Sequence, residues 1–277
     1  MEEQPEYIIE KIQSMTRHDA VRITDRCNAS IFLALAIISK MGGKSTILIP
    51  DQGGWTSFKN YPRMFGMKTL EVKTHRGVID LKDLKDKSKE CSAFLFTSFA
   101  GYFAEQPLKK LSSICKGNNC LTIEDASGSL GNSKLCNGKY SDIIVGSFSE
   151  GSSVNVGYGG FISTAKPEYF DLVKDAFSIM KVHPALYTQL EKKLSSSRLK
   201  LIMSLSESVK KELKDYDIFH RESEGLNVVA KFNPDIIKYC MLHRYPYILC
   251  PNYIRVNEIA ISIELKSLSD KELMRRI

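Results

Sequence analysis

Between residues 45 and 164 one pattern recurs: a short apolar run, continuous in most cases, then a polar or amphipathic stretch. The runs are STILIP (45–50), TLEVKT (69–74), SAFLFTSF (92–99), CLTIEDA (120–126), SDIIVGSF (141–148) and GGFIST (159–164). Strand-length runs without polar alternation are buried on both faces, which happens when helices cover both sides of a sheet. The stretches between them read as helices. Ala29 to Met41 is apolar nearly all round and stops at Gly42-Gly43. Ser57 to Phe65 and LKDLKDKSK are two more, and PLKKLSSICK (107–116) opens on Pro107, a good first helical residue. The pattern predicts a three-layer α/β/α sandwich with a mostly parallel central sheet. In such sheets ligand-binding groups collect at the carboxyl ends of the strands. Those ends are residues 51–55, 98–101, 125 and 147–153.

After Lys166 the character changes. Pro167 to Met180 and Ala185 to Tyr216 read as long helices, the second carrying Leu186, Leu190, Leu194, Leu201, Leu205 and Leu213 on one stripe. LNVVAKF (226–232), a helix over Ile236 to Arg244, and EIAISIEL (258–265) then suggest a small α+β unit. The expected division is a large domain over 1–170 and a helical connection with a small C-terminal domain over 171–277.

Composition removes several classes. With 43% hydrophobic and 26% charged residues among 277, the chain is ordinary globular protein. No apolar run reaches the ~18 residues of a membrane helix. The N-terminus, MEEQPEYIIEK, is acidic and unlike a secretory leader, so a cytoplasmic location is expected. Cys27, Cys91, Cys115, Cys120, Cys136, Cys240 and Cys250 show no C-x-x-C spacing. They read as reduced thiols rather than zinc ligands or disulfides. Thirty-nine basic against 32 acidic residues give +7, but the lysines are dispersed and no basic stripe carries aromatics, so no nucleic-acid partner is expected. GGKST (42–46) lacks the earlier glycine of a phosphate loop: Ile38 stands there.

Two segments carry chemical interest. Glu124-Asp125 ends a strand, where a carboxylate can cap a helix, meet solvent, or hold a ligand nitrogen. Ser147 to Ser153 followed by Gly157-Tyr158-Gly159-Gly160 is a loop of hydroxyls and glycines. It is either a surface hairpin or a place where backbone amides approach an anion. The five histidines are scattered, so no metal site is expected, and no G-x-S-x-G elbow supports a serine hydrolase.

The order of these pieces matters more than any one of them. AFLFTSFAGYFAEQPLKKLSSICKGNNCLTIEDASGSLG, followed by GKYSDIIVGSFSEGSSVNVGYGGFIST, resembles the DegT-type sugar aminotransferases. These belong to the fold-type I, pyridoxal-phosphate-dependent superfamily. That family shows E-D-A with a small-residue L-G turn, an S-D-I-like strand, S-F-x-x-x-K, and a glycine turn. TDRCNASIFLALAIISKMGG resembles its first cofactor helix, and the likeness extends over roughly residues 15 to 170.

The resemblance implies that Asp125 faces the pyridine nitrogen, that Trp55 stacks on the ring and that Ser147 bonds the phosphate. Cys27 and Asn28 occupy the usual Gly-Thr positions at the helix start. It also implies a homodimer and, as reaction, amino transfer from an amino acid to a keto sugar nucleotide. The family's Schiff-base lysine falls on Ser152, and no lysine lies between Lys139 and Lys166. A serine hydroxyl forms no imine and is a poor proton shuttle. Three readings stay open. The chain is a non-catalytic binding or scaffold protein with this fold; or it holds pyridoxamine or pyridoxal phosphate non-covalently and uses another base, Glu150 and His243 being the nearest candidates; or the lysine lies in another register.

Overall fold

The computed structural model describes residues 4–276. The chain starts with α1 (Glu6–Thr16), β1 (Ala20–Thr24), α2 (Cys27–Met41), β2 (Thr46–Pro50), α3 (Thr56–Asn60) and β3 (Lys68–Val72). It continues through a small ribbon of β4 (Thr74–His75) and β5 (Val78–Ile79), then α4 (Leu81–Lys87) and β6 (Ala93–Thr97). A second ribbon, β7 (Phe99–Ala100) and β8 (Ala104–Glu105), precedes α5 (Leu108–Gly117), β9 (Leu121–Asp125), β10 (Ile143–Ser147) and β11 (Gly160–Thr164). The remainder is α6 (Glu168–Asp171), α7 (Lys174–Ile179), α8 (Ala185–Lys193), α9 (Ser197–Glu212), β12 (Val228–Lys231), α10 (Pro234–His243), β13 (Tyr247–Cys250), β14 (Ala260–Ile263) and α11 (Asp270–Met274).

Seven strands form the main sheet in the order β1-β11-β10-β9-β6-β2-β3. Neighbours from β10 to β3 pair parallel, while β11 runs antiparallel to both β10 and β1. The mostly parallel three-layer sandwich is thus as expected. All five residues of β6, β10 and β11 are buried, which is why these segments lack polar alternation. Helix α2 buries Ile31 and every residue from Leu33 to Ile38 against one face of the sheet. On the other side, Phe94, Phe96 and Leu108 share an apolar cluster with Ile202, Leu205 and Val209 of α9. The same cluster takes in Val228, Ile261 and Ile263 of a three-stranded antiparallel sheet, β12-β14-β13.

Several local expectations change. The leucine stripe of 185–216 does not lie on one helix. The chain breaks at Leu194–Ser196 into α8 and α9, with Ser196 at the start of α9. A run of three serines favours non-helical backbone because the hydroxyls compete for main-chain groups. The break also swings Arg198 inward. Its guanidinium donates to the carbonyls of Ser152 (3.1 Å), Lys266 (2.8 Å) and Leu268 (2.9 Å) and to Asp270 Oδ1 (2.5 Å). Pro167–Met180 likewise divides, into α6 and α7. Residues 57–65 hold α3 and a single 3-10 turn, Pro62–Phe65. Helix α1, which buries Ile8, Ile12 and Thr16 at helical spacing, and strands β1 and β13 lie outside the elements read from the sequence.

One glycine sets how closely α2 meets the sheet. A methyl group at Gly160 would lie 2.6 Å from the Cys27 nitrogen and 2.8 Å from the Gly146 carbonyl oxygen. The start of β11 therefore packs directly against the first turn of α2. Gly160→Ala is expected to lower stability by about 1–3 kcal/mol through overpacking, read as a lower urea midpoint at unchanged slope.

Candidate functional site

The site begins with the end of β9, where successive side chains point to opposite faces. Glu124 is fully buried and accepts from Ser98 Oγ (2.5 Å), Ser141 Oγ (2.6 Å) and the Cys136 amide (2.8 Å). Burial pushes its carboxyl above the usual range, and these donors partly offset that. Asp125 faces the other way. Its Oδ1 accepts from the Ser127 amide (3.0 Å) and hydroxyl (2.5 Å), and among the described residues Oδ2 takes no hydrogen bond. The pair that reads as one acidic motif in the sequence is therefore a structural clamp and a cavity carboxylate.

A cavity of about 290 Å³ lies at the carboxyl ends of the strands. Cys27, Asn28, Trp55, Asp125, Ser147 and Ser152, the six residues singled out from the sequence, all line it. Cys27 and Asn28 are the first two residues of α2; the Ala29 and Ser30 amides donate to the Arg26 carbonyl, while those of Cys27 and Asn28 have no intrahelical acceptor, and the N-cap Arg26 gives no side-chain cap. Ser147 Oγ sits 2.6 Å from Ser149 Oγ and accepts from the Ser149 amide at 3.0 Å. Glu150 is exposed at the rim. His243 is not among the lining residues. It packs between Tyr239 and Tyr245, with ring centroids 4.3 and 5.7 Å away, so its part as a substitute base is withdrawn. A larger groove of about 570 Å³ lies at the far end of α2, where Gly42 and Gly43 close the helix. Lys44, Lys116 and Lys166 line it together with Asp142 and Ser92, and none of the six residues singled out from the sequence reaches it.

Sequence reasoning missed Tyr102 and Lys266. Tyr102 sits one residue past the strand-end segment 98–101, in the left-handed region (φ 68°). Its buried hydroxyl is pushed well above its ordinary pKa, first by desolvation and then by Asp125. Lys266 follows β14, 141 positions after Asp125, and nothing in its local sequence sets it apart. Its ammonium lies 4.6 Å from the Tyr102 ring centroid. Desolvation, then the nearby Arg255, drives its pKa down to about 8. The Asp125 carboxyl is raised by burial against the opposing pull of Ser127 and Lys266. The Cys27 thiol is raised well above its usual value by burial and by Asp125, which makes it an inert sulfur. Among the described residues no group of three His, Cys, Asp or Glu could hold a metal ion, and no helix is long and apolar enough to cross a membrane.

The fold has clear counterparts among solved structures. NtdA from Bacillus subtilis with bound cofactor PMP superimposes with TM-score 0.73 at 13% identity, covering 99% of this chain and 75% of that one. A DegT DnrJ EryC1 StrS aminotransferase from Brucella abortus gives 0.71 at 12% identity, covering 97% and 87%. A cysteine desulfurase from Thermococcus onnurineus gives 0.70 at 11% identity, covering 97% and 80%. The chain has the aminotransferase fold. No family model and no curated protein matches the sequence.

The lining residues suit a phosphorylated pyridine. Helix-start amides beside two hydroxyls favour a phosphate dianion. Asp125 offers an oxygen without a hydrogen-bond partner to a protonated ring nitrogen, and Trp55 offers an aromatic face.

Two stability outcomes follow from these environments. Glu124→Gln removes the charge and turns one of the two acceptor oxygens into an NH2 that cannot accept from its donor, so a loss of about 1–3 kcal/mol is expected in chemical denaturation. Lys266→Met should instead stabilise the fold at pH 7, by about 0.5–2 kcal/mol. Below pH ~8 the folded chain carries a costly charged amine. Between about 8 and 10.5 the unfolded chain binds the proton that the folded chain has released, so this cost fades as pH rises. The thermal-midpoint advantage of the variant should shrink across that window.

Proposed function

We propose that the cavity binds pyridoxal phosphate or pyridoxamine phosphate and that the chain is a DegT-type aminotransferase homologue. The observation that carries this is the meeting of Asp125, Trp55, Ser147 and the start of α2 in one cavity. When bound, such a cofactor supplies an electron sink for the carbon beside an amino group.

The protein's own residues have separable tasks. Asp125, its Oδ1 locked by Ser127, presents Oδ2 to the ring nitrogen and keeps a proton there. The first-turn amides at Cys27 and Asn28, with Ser147, hold the phosphate. Trp55 covers the ring and excludes water. Ser152, buried with its carbonyl held by Arg198, stands at the position of the family's lysine and provides no amine for a covalent tether. The substrates proposed are an amino acid as donor and a keto sugar nucleotide as acceptor, with the protein acting as a homodimer in the cytoplasm.

A second reading, a binding protein that keeps this fold without turnover, draws its support from the same Ser152. Cofactor affinity separates the two. Trp55 is the only tryptophan, so its fluorescence reports occupancy of the cavity directly. Saturable quenching by pyridoxal or pyridoxamine phosphate is expected. Asp125→Ala should weaken it about 10- to 100-fold, the loss of one charge-assisted hydrogen bond. Absence of saturable quenching would leave the binding-protein reading in place.

A further inference from the structure

Lys266 is the one lysine lining the cavity. It is placed by a turn, Leu265–Ser267, that directly follows β14. Two buried anchors hold this turn. Arg198 donates to the Lys266 carbonyl at 2.8 Å, and the Lys266 amide donates to Asn227 Oδ1 at 3.3 Å. The side chain then runs into the cavity. A methyl group at Gly151 would lie 2.7 Å from Lys266 Nζ, so the amine sits over the backbone immediately before Ser152. Gly151 itself has φ 77°, a conformation that favours glycine, and the absence of a side chain leaves room for the amine.

The charged groups around this amine are unusual in their balance. Glu264 is the nearest buried carboxylate on the same segment, but it is spent on Arg255, with contacts of 2.8 and 2.5 Å. It also accepts from Ser262 (2.7 Å) and Asn227 (3.1 Å). Burial alone would raise the Glu264 carboxyl, yet Arg255 and Ser262 hold it below the usual range. Asp125 is bonded by Ser127 through Oδ1 only, and with Glu264 it pulls the amine toward its protonated form, against desolvation and the arginines. Arg255 and Arg198 add positive charge from two sides, and Tyr102 contributes a ring face. Among the described residues Lys266 Nζ makes no hydrogen bond and no ion pair. It is an amine in a partly dry cavity, beside cations, with no fixed partner.

We infer that Lys266, reaching in from the C-terminal part of the chain, is the residue that captures an aldehyde carbonyl in this cavity and replaces the lysine absent at position 152. The inference rests on the proposed cofactor pocket and names the amine that acts in it. The neutral amine attacks the carbonyl carbon through its lone pair. A carbon–nitrogen bond forms, and the carbonyl oxygen leaves as water with the two protons that the nitrogen gives up. No oxidant or reductant is needed. Desolvation and neighbouring cations make such an amine nucleophilic near neutrality, and its depressed pKa, about 8, fits that demand. Cys27 does not compete, since its thiol is held protonated.

Reductive trapping tests this. Wild-type protein is incubated with pyridoxal phosphate, reduced with borohydride, digested and mapped by mass spectrometry. One phosphopyridoxyl group on Lys266 is expected, absent from folded Lys266→Arg, which keeps the charge without a condensing amine. A second readout needs no cofactor. Trace acylation of all lysines with acetic anhydride across pH should give Lys266 a midpoint near 8, with exposed lysines about two pH units higher. Trapping at another lysine, or an adduct that persists in Lys266→Arg, would overturn the inference. So would a Lys266 acylation profile that matches the surface lysines. Saturable Trp55 quenching without any adduct would overturn it while leaving the cofactor pocket standing. No quenching at all would remove the pocket reading and this inference with it.

Discussion

Glu124 is the interaction on which the site's geometry depends. A carboxylate with no solvent exposure is tolerable only if its oxygens are hydrogen-bonded. Here the three donors come from two connections: Ser98 directly after β6, and Cys136 and Ser141 from the long connection between β9 and β10. Ser129 donates in turn to Ser98 at 2.8 Å. The clamp fixes the ends of adjacent parallel strands relative to one another. Because side chains alternate along β9, holding Glu124 on one face delivers Asp125 to the other. The cavity carboxylate is positioned by a neighbour that never touches the cavity.

A second buried carboxylate does comparable work at the opposite wall. Glu264 and Arg255 form a bidentate pair, both nearly without exposure. Such a pair gains little net stability once desolvation is counted, but leaving either partner alone would be costly. Its consequence is local: with Glu264 committed to Arg255, Lys266 two residues on has no fixed carboxylate partner, and desolvation with Arg255 and Arg198 outweighs the pull of Glu264 and Asp125. Arg198 has the matching role from α9, binding the carbonyls of Ser152 and Lys266 together. One guanidinium thus joins the loop after β10 to the turn after β14. Both walls of the cavity depend on contacts between segments far apart in the chain.

The parallel sheet was legible because each of its buried strands announces itself as an unbroken apolar run, and α2 because it is apolar almost all round. Strand β1 was not, since AVRIT carries an arginine and only partial burial, and it gains its place by pairing with β11. The α8–α9 break was hidden by a leucine spacing that continues through it. Propensity at Ser195–Ser197 argued for a stop, but only docking of Arg198 makes the stop useful. Of the cavity residues, those lying in an ordered motif could be named in advance, whereas Lys266 could not.

What the sequence by itself determined is the fold class and the set of residues at the strand ends: Trp55, Asp125, Ser147, Ser152 and the start of α2. These are local properties, written in the length and polarity of runs and in what directly follows them. What the tertiary structure decided is division of labour. It separates Glu124 from Asp125 by strand alternation and a clamp of three donors from two connections, sets His243 away from the cavity in an aromatic stack, and brings Lys266 over Gly151. The physical reason is that solvation and charge balance belong to positions in space. An amine loses its proton readily when it is desolvated and surrounded by cations, and no spacing along the chain records which neighbours will surround it.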